Sequence, residues 1–151
     1  MKYLFYCLIP IVVVGFFVLI IFSRNLLNSS RTKIVTINNQ RIIVEIADTD
    51  KLRTQGLSGR ASLADNSGML FIYPKPGIYS FWMKDMQFPL DFIWLNDDTV
   101  VDLTNDVPAP ETNDLLVLPT YQSNTPVDKA LELSSGSIDR MNIKIGDKIK
   151  Y

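Results

Sequence analysis

Five of the six residues in Leu90-Asp91-Phe92-Ile93-Trp94-Leu95 are large and apolar, and the sixth is an acid. In an extended chain alternate side chains face opposite sides, so Leu90, Phe92 and Trp94 share one face while Asp91, Ile93 and Leu95 share the other. A strand apolar on both faces has to be covered on both, which places it at the centre of a layered or closed β structure and not at its rim. Asp91 on such a strand needs partners, because an unpaired buried carboxylate is costly enough to take up a proton instead. The sequence offers Arg60, Lys84 and Arg53, or backbone N–H groups around residues 87–89. Two roles stay open for Asp91: a structural tie between a loop and the sheet, or one wall of a ligand pocket shared with Phe81 and Trp82.

Ahead of this core lies an unbroken apolar run over residues 3–22, preceded by a two-residue tail (1–2) and flanked by Lys2 and Arg24. About twenty apolar residues is the length of a membrane-spanning helix. The run is longer than the apolar region of a cleavable signal, and no small-residue cleavage site follows it, so an uncleaved single-pass anchor is expected. Residues 23–33 read as a polar linker and residues 34–151 as one globular domain. The layout is that of a signal-anchor, and the domain is expected on the extracytoplasmic side.

Within the domain, residues 34–37 and 41–47 form a predicted hairpin through the turn pair Asn38-Asn39. Thr49 is a predicted N-cap for a short helix over 50–55 that stops at Gly56. Strands follow over 68–73, 78–83, 90–95 and 100–103, with a turn at Pro74-Lys75-Pro76-Gly77 and a hairpin through 96–99. Residues 105–114 read as a surface loop and 115–118 as a short buried strand. In 127–134, Leu131 and Leu133 oppose Ala130 and Glu132. One helical turn over 137–142 and a closing strand pair over 143–151 complete the chain. The fold class expected is mainly β: a compact sandwich or barrel-like domain with one short helix, preceded by a single N-terminal transmembrane helix.

The chain has no histidine, and its single cysteine, Cys7, lies inside the apolar run. Ser-His-Asp and Cys-His nucleophilic sites, and the usual zinc, copper and non-haem iron ligand sets, are thereby excluded from the domain. No metal site and no cofactor are expected. Fifteen Lys and Arg against 16 Asp and Glu leave a net charge of −1, with no basic tract to hold a phosphate backbone, so nucleic acid is not an expected partner. What remains is carboxylate chemistry through Glu45, Asp91 and Glu132, each in a strand-like apolar segment. The other possibility is an aromatic platform for a sugar or peptide, formed by Tyr73, Tyr79, Phe81, Trp82 and Tyr121.

The segments Val44-Glu45-Ile46-Ala47-Asp48-Thr49, Arg53-Thr54-Gln55-Gly56-Leu57, Arg60, Gly68-Met69-Leu70-Phe71, Phe81-Trp82-Met83-Lys84, Pro89-Leu90-Asp91 and Leu131-Glu132-Leu133 with Gly136 together resemble the prokaryotic domain-of-unknown-function family 192. The resemblance covers essentially residues 34–151. It implies a compact, mainly β domain often found behind a signal or membrane segment, and it assigns no activity. Carried over by motif are Glu45, Arg60, Trp82, Met83, Lys84, Asp91 and Glu132, here expected to bind a ligand. The chain departs from the family pattern at Ser58, where a methionine is usual, and at Met86, where a threonine is usual. The leading expectation is a ligand-binding module with a cleft around Trp82 and Asp91, taking a small molecule, glycan or peptide. The alternatives are a carboxylate-based hydrolase of envelope glycans, pairing Asp91 with Glu45 or Glu132, and a purely structural or assembly domain.

Overall fold

The computed structural model describes residues 31–151, so the expected membrane anchor lies outside the described residues. Among these residues are eight strands: β1 (Thr32–Ile37), β2 (Gln40–Ala47), β3 (Ser67–Gly77), β4 (Phe81–Trp82), β5 (Leu90–Asn96), β6 (Thr99–Val107), β7 (Thr120–Tyr121) and β8 (Val127–Ser134). Two short helices accompany them, α1 (Asp50–Gln55) and α2 (Ser137–Arg140). Six strands form one mixed sheet in the order β1-β2-β3-β8-β5-β6, and β4 pairs with β7 in a small second sheet. All pairings are antiparallel except β2 with β3. That parallel pair needs a crossover, which residues 48–66 supply, including α1.

Local chemistry accounts for several of these elements. Asn38 and Asn39 take φ values of +48° and +63°, the two left-handed residues that a tight hairpin between β1 and β2 requires. The Thr49 hydroxyl accepts the Leu52 N–H at 3.3 Å and opens α1, and Gly56 closes it at φ +51°. β5 sits between β8 and β6, both of its faces covered, as its two apolar stripes demand. Its side chains divide between two cores. Ile93 and Leu95 join Val35, Ile42, Val44, Leu70, Leu131 and Leu133 on one face, while Leu90, Phe92 and Trp94 join Met69, Phe71, Phe81 and Met83 on the other.

Several expectations require correction. The Pro74-Lys75-Pro76-Gly77 segment is not a turn. It continues β3, and the register to β8 shifts between Ile72 and Gly77, so neither proline has to supply a ladder N–H. Only Phe81–Trp82 of the expected strand over 78–83 is paired. Residues 115–117 form a turn and not a buried strand, with Leu116 92 % exposed. The Asp114 carboxylate accepts the Leu116 N–H, and the Asp114 carbonyl accepts from Val117 and Leu118, so this apolar triplet is held as a local turn. Residues 143–151 do not pair with themselves. Instead Lys150 bridges to Thr36 of β1 and Lys148 to Thr99 of β6, which ties the two edge strands of the large sheet to one segment. Finally, there are two short helices and not one. Gly136 at φ +78° turns the chain into α2.

Candidate functional site

The functional side chains divide according to the face of the sheet on which their strand places them. On β5, Asp91 falls on the Ile93 and Leu95 side and is fully buried. Its two oxygens accept the Asp106 N–H at 3.0 Å and the Ile138 N–H at 2.8 Å. None of the cations named for it from sequence is its partner; two backbone donors, one at the end of β6 and one in the first turn of α2, take that place. Asp91 ties these elements together and lies away from the cleft expected beside it.

Glu45 and Glu132 occupy the opposite face. Glu45 pairs across β2 and β3 with Met69, and Met69 pairs across β3 and β8 with Glu132, so the two acids lie two strand spacings apart, roughly 10 Å between their Cα atoms. Arg60, from the irregular segment after α1, forks onto Glu45 with contacts of 2.5 and 2.8 Å. The planar guanidinium suits this bidentate geometry. Glu132 is only 5 % exposed, and among the described residues its carboxyl group has no hydrogen-bond partner. Burial pushes its pKa up from 4.5 to about 8, opposed by the nearby Arg60 charge. Near neutral pH it therefore carries its proton. Asp91 lies on the opposite face of the sheet from both other acids.

Glu132 forms part of the lining of a recess of about 30 Å³, together with Gly56, Leu57, Ser58, Phe71 and Trp82. This is room for about one water-sized group. An open cleft of about 510 Å³ adjoins it and shares Arg53, Thr54, Phe81 and Trp82 with its lining. The wall of the cleft follows from alternation along residues 81–83. Phe81 and Met83 point into the core, Phe81 standing edge-on to Phe71 at 4.9 Å and Trp94 at 5.1 Å. Trp82 between them is turned out and is 43 % exposed. Tyr73 and Tyr79 stack at 3.5 Å on the same cleft, and Arg53 lies over the Tyr73 ring at 5.1 Å. The Arg53 guanidinium is held by the Ile72 carbonyl at 2.7 Å and by Asp50 at 2.6 Å. Burial raises the Tyr73 hydroxyl to about 12, against the pull of Arg53.

Of the seven residues expected at a site, Trp82 and Glu132 meet at the recess, and Glu45 with Arg60 forms the ion pair on the same face. Met83 is core. Lys84 pairs with Asp85, and its carbonyl accepts the Ser58 hydroxyl at 2.7 Å, joining the two loops beside α1. Asp91 is elsewhere. Sequence reasoning missed Asp50, Thr54, Ser80 and Thr120 as cleft residues. The i, i+3 spacing of Asp50 and Arg53 on α1 is the one local signal that pointed there. Among the described residues no three His, Cys, Asp or Glu side chains come together as a metal set.

A family model for DUF192, described as an uncharacterised ACR, matches residues 33–151, and the chain belongs to that family. Two solved structures are similar to it. One is a candidate transcription regulator from Sinorhizobium meliloti, 28% identical, with a TM-score of 0.71 over 81% of this chain and 95% of that one. The other is a protein of unknown function from Novosphingobium aromaticivorans, also 28% identical, with a TM-score of 0.70 over 82% of this chain and 88% of that one. No curated protein matches the chain.

Proposed function

We propose that this DUF192 domain is a ligand-binding module, tethered to a membrane through residues 3–22 and carried on the extracytoplasmic side, with its ligand in the cleft beside Trp82. The observation that carries the reading is Trp82 itself: a large aromatic side chain held at the surface, between two neighbours that pack inward, on the wall of a cleft. A concavity that combines aromatic walls with fixed polar groups is a common form of small-ligand site, and about 510 Å³ lies within the usual size range for one. The reading does not draw on the regulator description of the Sinorhizobium relative; a nearly balanced charge and the lack of a basic tract offer little attraction to nucleic acid.

The test uses the chain's two tryptophans. Trp94 is fully buried and Trp82 is not, so iodide quenching of the full-length chain reports on Trp82. A ligand filling the cleft is expected to protect Trp82 and shift its emission, and Trp82→Phe is expected to remove both signals. A panel of neutral oligosaccharides and short peptides that leaves quenching unchanged throughout refutes the reading.

A structural or assembly role has one observation in its favour, the exposed triplet Leu115, Leu116 and Val117. Self-association of the full-length chain that Leu116→Ser abolishes would move the conclusion in that direction.

A further inference from the structure

We propose that the ligand is a neutral carbohydrate whose ring packs on Trp82 and whose hydroxyl group enters the recess to hydrogen-bond the carboxyl group of Glu132. This deepens the cleft reading and rests on it.

Three features of the geometry converge on that class. First, Trp82 and Glu132 line the same recess, so a ligand packed on the indole has the acid within the same concavity. The apolar C–H face of a sugar ring suits an exposed indole, and its rim carries hydroxyl groups. Second, the recess holds about one water-sized group, which admits a hydroxyl and excludes a phosphate or a guanidinium. Third, the charges around it disfavour a cation. The titratable groups facing Glu132 are Arg60 from the loop after α1, Glu45 on β2, Arg53 on α1 and Tyr73 on β3. An entering ammonium meets two arginines, while Glu132 carries its proton near neutral pH, so a phosphate is kept out by the size of the recess and not by charge. A hydroxyl meets neither difficulty. Glu132 has no hydrogen-bond partner among the described residues, and in its protonated form it presents one donor and one acceptor, which a hydroxyl group satisfies together. Thr54 and Gln55 also line the recess and carry side-chain groups able to hydrogen-bond a hydroxyl.

The protonation of Glu132 gives the inference a signature that simple stacking on Trp82 does not have. Burial raises its pKa to about 8, so the donor is present below that value and lost above it. The experiment measures maltotetraose, cellotetraose and tetra-N-acetylchitotetraose binding to the full-length chain by Trp82 emission. The chain is kept in a zwitterionic detergent that carries no sugar, over a range of about pH 6 to pH 9.5. At least one tetrasaccharide is expected to bind with constant affinity up to about pH 7 and to weaken by about tenfold per pH unit above about pH 8. Glu132→Gln, which keeps the shape and an uncharged donor, is expected to bind with affinity independent of pH. Affinity that rises through the same range, or a Glu132→Gln profile that follows wild type, overturns the inference. So does a failure of all three saccharides to bind. If peptides protect Trp82 from iodide while no saccharide binds, the carbohydrate inference falls and the cleft reading stands; if neither class does, both fall.

Discussion

Replacing Glu132 with glutamine should make the protein more stable at alkaline pH while changing nothing in acid. Glu132 has a pKa of about 8 when folded, against 4.5 as the ordinary value. An acid whose pKa is raised by folding binds more protons in the folded state, so stability falls as pH rises. The favourable contribution is complete below about pH 4.5 and is lost progressively up to about pH 8, at about 1.4 kcal/mol per pH unit. Across that window wild type loses roughly 5 kcal/mol, of which about 3 kcal/mol is gone by pH 7. For a domain with a stability of about 5–15 kcal/mol this is a large share. Glutamine is neutral throughout and fits the same recess, so its stability escapes the decline. Urea unfolding of both full-length proteins, followed by Trp94 emission from pH 4.5 to about pH 8.5, isolates the effect, because every other titrating group contributes equally to both. The expected result is equal stability at the acid end and a gap that widens to several kcal/mol at the alkaline end. Parallel profiles refute the reasoning: they mean that Glu132 is solvated or ionised in the folded state. Arg60 is the neighbouring charge that holds the value down, so Arg60→Gln should carry the wild-type decline to higher pH. The partly exposed Arg60–Glu45 pair itself contributes only about 1 kcal/mol.

Asp91→Asn should destabilise the fold by about 2–4 kcal/mol in the same unfolding assay, because the amide sets a donor against one of two backbone N–H groups that now find an oxygen. Oligosaccharide affinity, measured where the variant is folded, should stay within about twofold; an undiminished stability would remove Asp91 from its architectural role. Gly68→Ala should cost about 2–3 kcal/mol, since its added Cβ would lie 2.6 Å from the Glu132 carbonyl oxygen, part of a paired backbone that cannot swing aside. A melt within a degree of wild type would contradict that.

Much of the frame was legible because it follows from short-range periodicity. The apolar stripes of β5, the inward pair Leu131 and Leu133 on β8, and the shared face of Ile42, Val44 and Ile46 on β2 all lie as alternation requires. The Asn38-Asn39 turn and the Thr49 cap are legible for the same reason, since each is a contact within a few residues. Residues 115–118 misled because Leu-Leu-Val reads as a buried strand by composition, whereas the Asp114 carboxylate and carbonyl fold it locally into an exposed turn. The proline segment after β3 misled for a related reason. Proline breaks a strand only where a partner needs its N–H, and β3 has no paired partner between Ile72 and Gly77.

Sequence alone determined that the domain is mainly β, that β5 is central, that histidine and thiol chemistry are absent from the domain, and which residues share a face within one strand. Tertiary structure decided which faces meet. The parallel β2–β3 pair, the insertion of β8 between β3 and β5, and the bridging of β1 and β6 by the C-terminal segment join residues many positions apart, and no local pattern encodes those pairings. They separate Asp91 from Glu132 by the thickness of the sheet and bring Glu132 beside Trp82. Three acids alike in sequence thus become a backbone tie, an ion-pair member and a protonated group in a recess, because the environment of a carboxylate is set by what packs against it and not by the strand that carries it.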